Sequence, residues 1–207
     1  STLLHTYAGA MPDALNISAR DAILPVVPMF HVNAWGLPYL GAAIGCKMVY
    51  PGAALDGKSV YELLEAEGVT MAAGVPTVWQ GLLAHVEGHG LSFSTMRRTV
   101  IGGSACPPAM IKKFNETYDV QVLHAWGMSE MSPLGTVCTF KTQHLNASQE
   151  AKYSVMAKQG RAGPALGISA FGSFIAGTFA LVALMLVAPS LASRSEEHTS
   201  ELQSHLM

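Results

Sequence analysis

Two observations predict an α/β domain with a largely parallel sheet. Short apolar runs of strand length recur at 22–28, 46–50, 69–73, 97–103 and 120–123. Stretches of helical length separate them, so the order is strand, helix, strand, helix, the pattern of parallel strands joined by crossovers.

The elements follow in order. Residues 3–10 read as the end of a helix. AILPVVP, 22–28, is bounded by Asp21 and the Pro28 turn and reads as a buried strand, its prolines favouring an edge or a strand end. His31 and Asn33 fall where that strand gives way to a helix expected over 34–44. After a second strand, PGAALDGKSVYELLEAEG reads as a loop and then a helix, with Leu63 and Leu64 inward and Glu62, Glu65 and Glu67 outward. A third strand precedes the helix VPTVWQGLLAHV, 75–86, with Pro76 in its first turn, where proline is preorganised. RRTVIGG is the fourth strand. The helix over 107–118 turns Met110, Ile111 and Phe114 inward and Lys112, Lys113 and Glu116 outward. A fifth strand ends at Leu123, a sixth is expected over 136–140, and 147–157 reads as an exposed helix.

The 207 residues suffice for one or two domains. A net charge of -2 with both signs interspersed gives no basis for nucleic-acid binding. Cys46, Cys106 and Cys138 are odd in number and share no metal spacing, so they read as reduced cytosolic thiols. The chain opens at Ser1 with no signal-like segment, and it is expected to be a fragment.

The stretch with the most chemistry is VLHAWGMSEMSPLGT, 122–136. Trp126 can stack on a base, Gly127 admits close backbone approach, Ser129 can bond a phosphate oxygen and Glu130 can hold a hard cation. The plain alternative is a strand followed by a polar turn with a fortuitous glutamate.

Three other patterns carry weaker claims. Gly52, Gly57, Lys58 and Ser59 match the phosphate-loop spacing, which would make a nucleotide-binding protein. Asp56 would put a carboxylate in the path of the phosphates, so a connecting loop is the better reading. Residues 102–106, GGSAC, nearly spell a nucleophile elbow, but Cys106 replaces its last glycine and Pro107 removes the next N–H. His85 and His89 are four apart, yet Gly88 and Gly90 end the helix there and argue against a metal.

WGMSE, 126–130, resembles the aromatic-Gly-x-Thr-Glu motif of adenylate-forming (AMP-binding) enzymes, with Trp126 and Ser129 as chemically equivalent replacements. HAWGMSEMSPLGT is especially similar to fatty-acyl-CoA ligases of the medium- and long-chain type. PMFHVNAWG, GVPTVW and GGSA are similar to ligase segments in the same order. The resemblance covers 1–161 and implies the incomplete N-terminal domain of an acyl-CoA synthetase-like fold. It also implies a two-step reaction with ATP, Mg2+ and CoA on a fatty or other hydrophobic carboxylate. The catalytic positions it implies are Glu130 (the metal ligand), Ser129 and His31, which would orient the acyl carboxylate and the α-phosphate. Trp126, Gly127, Gly103, Ser104 and Ala105 would hold the nucleotide. Trp79, Gly74 and His124 are expected in the acyl pocket. The family's phosphate loop is expected before Ser1. Its ribose-binding Asp, hinge and C-terminal catalytic Lys are expected after Arg161, so this polypeptide by itself is expected to have little ligase activity.

After Arg161 the pattern changes. No charged residue occurs between Arg161 and Arg194, and 162–192 carries about 20 continuous apolar positions, enough to span a bilayer. This stretch resembles part of the large permease subunit of tripartite tricarboxylate transporters. It implies a membrane-like, unrelated hydrophobic C-terminal helix, with 166–188 inserted if genuine, and a transport component as the alternative function. Residues 193–207, SRSEEHTSELQSHLM, are polar and resemble a translated sequencing-adapter tail. The chain is therefore expected to be a chimera, with a cytoplasmic ligase part.

Overall fold

The computed structural model describes residues 2–160, within a unit spanning Ser1–Ala162. The membrane-like stretch 162–192 and the tail 193–207 lie outside the described residues. Among the described residues no helix is long and apolar enough to cross a membrane.

Helix α1, Thr2–Ala10, leads to β1, Ala22–Pro25. A single turn, α2 at Val32–Trp35, precedes α3, Leu37–Ile44, and β2, Lys47–Met48. Next come α4, Gly57–Ala66; β3, Met71–Gly74; α5, Pro76–Gly88; β4, Arg98–Ile101; and α6, Pro108–Thr117. Strand β5, Gln121–Gly127, a 3-10 turn at Ser129–Met131 and β6, Leu134–Val137, follow; then come α7, Thr142–Leu145, α8, Gln149–Met156, and a 3-10 turn at Ala157–Gly160.

The strands form one sheet in the order β2-β1-β3-β4-β5-β6. Every pairing is parallel except β5 with β6. The chain runs outward from β1 to β2 and then crosses back to β3.

Alternation along the strands builds two cores. Leu24, Ala72, Ile101 and Val122 face one side and pack with Leu64, Trp79, Leu82, Ile111 and Phe114 of α4, α5 and α6. Ile23, Met71, Ala73, Val100, Leu123 and Ala125 face the other, with Leu37 and Leu40 of α3 and with Leu15. Trp79 and Phe114 meet edge-on at 6.2 Å. At the amino ends of the strands, the largely buried Asp21 carboxylate accepts from the Arg98 guanidinium at 2.8 Å and from the Thr70 hydroxyl at 2.7 Å.

Three expectations change. The helix expected over 34–44 begins only at Leu37, because Val32, Asn33, Ala34 and Trp35 all adopt left-handed backbone angles, with φ of 46, 53, 50 and 57°. Strand β5 runs to Gly127, four residues past the expected end at Leu123, because pairing with β6 extends it. The helix expected to be exposed over 147–157 is Gln149–Met156, and it buries Met156 in the core with Tyr153 and Val155 packed against it. The prolines of the first run also find their place: β1 lies inside the sheet and ends at Pro25.

The phosphate-loop pattern does other work. Asp56 caps α4, accepting from the Ser59 N–H at 3.1 Å and the Ser59 hydroxyl at 2.7 Å. Its own carboxylate thus takes the helix N-terminus that a phosphate would need.

Candidate active site at the carboxyl ends of the strands

A cavity of about 390 Å³ opens at the carboxyl ends of β4 and β5, on the α1 and α3 side of the sheet. Its size is at the lower end of small-ligand pockets, roughly 300–1,000 Å³. No Asp, Glu, Lys or Arg is among the described residues lining it.

Strand β5 builds the first wall. It delivers Ala125, Trp126 and Gly127 to the cavity, and a bulge at Trp126/Gly127 re-aims the chain. The 3-10 turn then sets Ser129 on the lining, with Glu130 exposed beside it. A cis Ser132–Pro133 peptide returns the chain into β6. The Met128 N–H donates to the Pro133 carbonyl at 2.9 Å. This turn closes only over a glycine: a Cβ on Gly127 would lie 2.1 Å from the Pro133 carbonyl oxygen.

The second wall is the left-handed turn. Gly36 N–H bonds to the Val32 and Asn33 carbonyls at 3.1 and 3.0 Å, and Trp35 N–H to that of His31 at 3.2 Å. Each non-glycine residue in this conformation costs roughly 1–2 kcal/mol, and Val32 is β-branched, so strain is concentrated on the cavity wall. The turn lays the Trp35 ring against the Gly102–Gly103 turn after β4, 3.3 and 3.6 Å from where Cβ atoms would stand. Gly103, at φ 77°, sits in the region glycine tolerates. His31 is exposed at the mouth, with its ring 4.7 Å from that of Phe30.

The cavity brings together five residues named from the sequence: His31, Gly103, Trp126, Gly127 and Ser129. Ser104 and Ala105 are exposed in the turn after Gly103, and Glu130 adjoins Ser129; none of the three lines the cavity. A single exposed carboxylate fits the way Mg2+ is usually held, by one or two carboxylates plus substrate phosphates. No group of three potential metal-binding side chains exists among the described residues. His85 and His89 stack at 4.4 Å, and His89 Nδ1 bonds the His85 carbonyl at 2.9 Å.

Trp79, Gly74 and His124, expected in the acyl pocket, do not line this cavity. Trp79 lies in the core on the opposite face of the sheet, donating its indole N–H to the Gly74 carbonyl at 3.2 Å. His124 alternates with the cavity-lining Ala125 and is fully buried. Its Nε2 accepts the Cys106 N–H at 3.2 Å and its Nδ1 lies 2.7 Å from the Met156 carbonyl, so the neutral ring carries its proton on Nδ1. Burial holds its pKa below the usual histidine value, against the opposing pull of its backbone partners. With His124 so occupied, it is no base for Ser104, and burial pushes the Cys106 thiol up to about 12. The nucleophile-elbow pattern is a turn only.

Sequence reasoning assigned no role to Trp35 or to α1, yet Thr2, His5, Thr6 and Gly9 line the cavity. Their spacing, three, four and seven after the first, is one face of a helix; the mixed composition of α1 hid it.

The profile of the AMP-binding enzyme family matches residues 1–168, and that of the tripartite tricarboxylate transporter TctA family matches 153–202. The chain is 56% identical over 161 residues to a medium-chain-fatty-acid–CoA ligase of Ectopseudomonas oleovorans, covering 78% of this chain and 30% of that protein. It is 50% identical over 168 residues to a 3-methylmercaptopropionyl-CoA ligase of Ruegeria lacuscaerulensis, covering 81% and 31%. Identity to a long-chain-fatty-acid–CoA ligase of Thermus thermophilus is 46%, covering 76% and 29%. The chain thus spans about 30% of the length of the curated relatives it matches. Among solved structures, the long-chain-fatty-acid-CoA ligase FadD1 of Archaeoglobus fulgidus shares the fold with a TM-score of 0.58 at 22% identity, covering 66% of this chain and 29% of that one. The N-terminal domain of FACL13 from Mycobacterium tuberculosis does so at 0.57 and 24%, covering 65% and 33%. With the family profile matched from Ser1 across β6 and α8, this chain belongs to the AMP-binding enzyme family.

Proposed function

We propose that residues 1–161 form one wall of the site of an ATP-dependent fatty-acid–CoA ligase acting in the cytoplasm. The observation that carries this reading is the cavity itself. It joins His31, Gly103, Trp126, Gly127 and Ser129 at an exposed mouth to a buried apolar interior, as an acyl-adenylate requires.

In the first step a carboxylate oxygen attacks the α-phosphorus of ATP. The acyl–phosphate bond forms, the bond to the β-phosphate oxygen breaks, and pyrophosphate leaves. In the second, the CoA sulfur attacks the acyl carbon, the thiol gives up its proton, and AMP departs. Neither step calls for a nucleophile from the protein, so catalysis rests on positioning and charge stabilisation. The Ser129 hydroxyl donates to a phosphate oxygen. Trp126 flanks the adenine, with the Gly103, Ser104 and Ala105 turn behind the base. His31 orients the acyl carboxylate against the α-phosphate. Glu130 would hold Mg2+, which when bound neutralises charge on the phosphates.

The relatives' names span medium-chain and long-chain fatty acids and 3-methylmercaptopropionate. Their common feature, a hydrophobic carboxylate, is the substrate class assigned here. We also read the chain as a chimera joined near Arg161, which the separate TctA-family match over 153–202 supports. Amplifying the genomic locus tests this; an uninterrupted frame through the junction would refute it.

The ligase reading is tested by exchanging residues 1–161 into the Ectopseudomonas oleovorans ligase in place of its matching 161 residues. The hybrid is expected to support octanoate-dependent exchange of pyrophosphate into ATP. A folded hybrid without exchange activity would overturn the proposal.

A further inference from the structure

We infer that Gly9 of α1 and Leu40 of α3 form the stop that sets how long an acyl chain the cavity accepts, an inference that rests on the acyl-adenylate reading above.

The lining divides by burial. His31, Gly103, Gly127 and Ser129 are exposed and form the mouth. Gly9, Leu15, Leu37, Leu40 and Val100 are buried and form the closed end. That end belongs to the apolar core between α1, α3 and the sheet, and no charged side chain reaches it. An acyl chain whose carboxylate lies among the polar groups at the mouth must therefore point its methyl end here, where the buried polar side chain on the described lining is Thr6, its hydroxyl already donated to the Thr2 carbonyl.

Gly9 and Leu40 close this end against each other. A Cβ built on Gly9 would stand 3.1 and 3.4 Å from the two Leu40 methyls, so any side chain at position 9 must push Leu40 aside. Gly9 has no positive φ, so the backbone does not require glycine there. Its missing side chain serves the close approach of α1 to α3. Chain length is then set by side-chain volume at two positions. Removing the Leu40 isobutyl group deepens the cavity, and adding a methyl at Gly9 makes it shallower. A single methylene in a hydrophobic pocket changes selectivity by roughly 10- to 200-fold.

The test is calorimetric binding of butanoyl-, octanoyl- and hexadecanoyl-sulfamoyladenosine, and of adenosine monophosphate, to the full chain and its Leu40→Ala and Gly9→Ala variants. Leu40→Ala is expected to shift the preference towards the longer analogue by about tenfold or more, and Gly9→Ala towards the shorter by a similar factor. Leu40→Val and Gly9→Ser carry the same signs if a primary variant fails to fold. If the parent chain shows a length preference that the folded variants keep, the stop is refuted and the ligase reading survives. If the parent chain binds neither adenosine monophosphate nor any analogue, the stop is refuted, and the ligase reading is judged separately by the exchange activity of the hybrid.

Discussion

The imidazole of His124 ties two distant segments together: its Nδ1 lies 2.7 Å from the Met156 carbonyl oxygen, and its Nε2 accepts the Cys106 N–H at 3.2 Å. It thereby holds the turn after β4 and the end of α8 against β5. Replacing it with alanine leaves a buried donor and a buried acceptor without partners, each costing about 1–3 kcal/mol. His124→Ala is expected to lower unfolding free energy by about 3 kcal/mol, read by urea denaturation followed by tryptophan fluorescence.

The same histidine makes stability sensitive to acid. Its folded pKa lies below the ordinary value of 6.5 because burial disfavours the charged ring. The unfolded chain therefore binds a proton more readily. The stability this group contributes is present above pH 6.5 and is lost as pH falls from there through the folded pKa. Denaturation curves between about pH 7 and 5 should show this loss in the parent chain and a flatter profile in His124→Gln.

Asp21 supplies a second, lower window. Despite burial, which opposes ionisation, hydrogen bonds from Ser18 and Thr70 and the Arg98 guanidinium hold its pKa below 3.8. Its contribution is present above pH 3.8 and is lost as pH falls through the folded value. Asp21→Ala strands the largely buried Arg98 guanidinium and is expected to cost about 3–5 kcal/mol, the usual loss on breaking a buried pair. An unchanged denaturation midpoint would contradict this.

Gly127→Ala tests the turn that presents Ser129. The added methyl would stand 2.1 Å from the Pro133 carbonyl oxygen, so the β5–β6 turn has to open. The expected outcome is loss of nucleotide-analogue binding and a lower melting temperature. Both should exceed the effect of Gly88→Ala, where a Cβ meets nothing within 4 Å.

Glu130 is exposed, so its replacement should spare the fold. In the hybrid ligase described above, Glu130→Ala is expected to reduce adenylation by about a hundredfold or more with an unchanged melting temperature. Retained exchange activity would remove Glu130 from the metal role.

Much of this was legible in the residues themselves. The alternation of apolar runs with helical stretches gave the parallel sheet, because strands covered on both faces need continuous apolar residues whatever their neighbours. Asp56, read as an obstacle to phosphate, proved to be the cap of α4, a local interaction between positions three apart. The family likeness of WGMSE, PMFHVNAWG and GGSA in order was likewise readable without coordinates.

What the tertiary structure alone decided is which of those residues share a cavity. The period-two alternation of β5 sends Ala125 to the cavity and His124 to the opposite core, and a residue's type does not reveal which face of the sheet it takes. Four successive left-handed residues at Val32–Trp35 have no propensity signal, since such strain persists only where surrounding packing holds it. The approach of Gly9 to Leu40 joins a helix that precedes β1 in the chain to one that follows it, and only the folded chain brings them together.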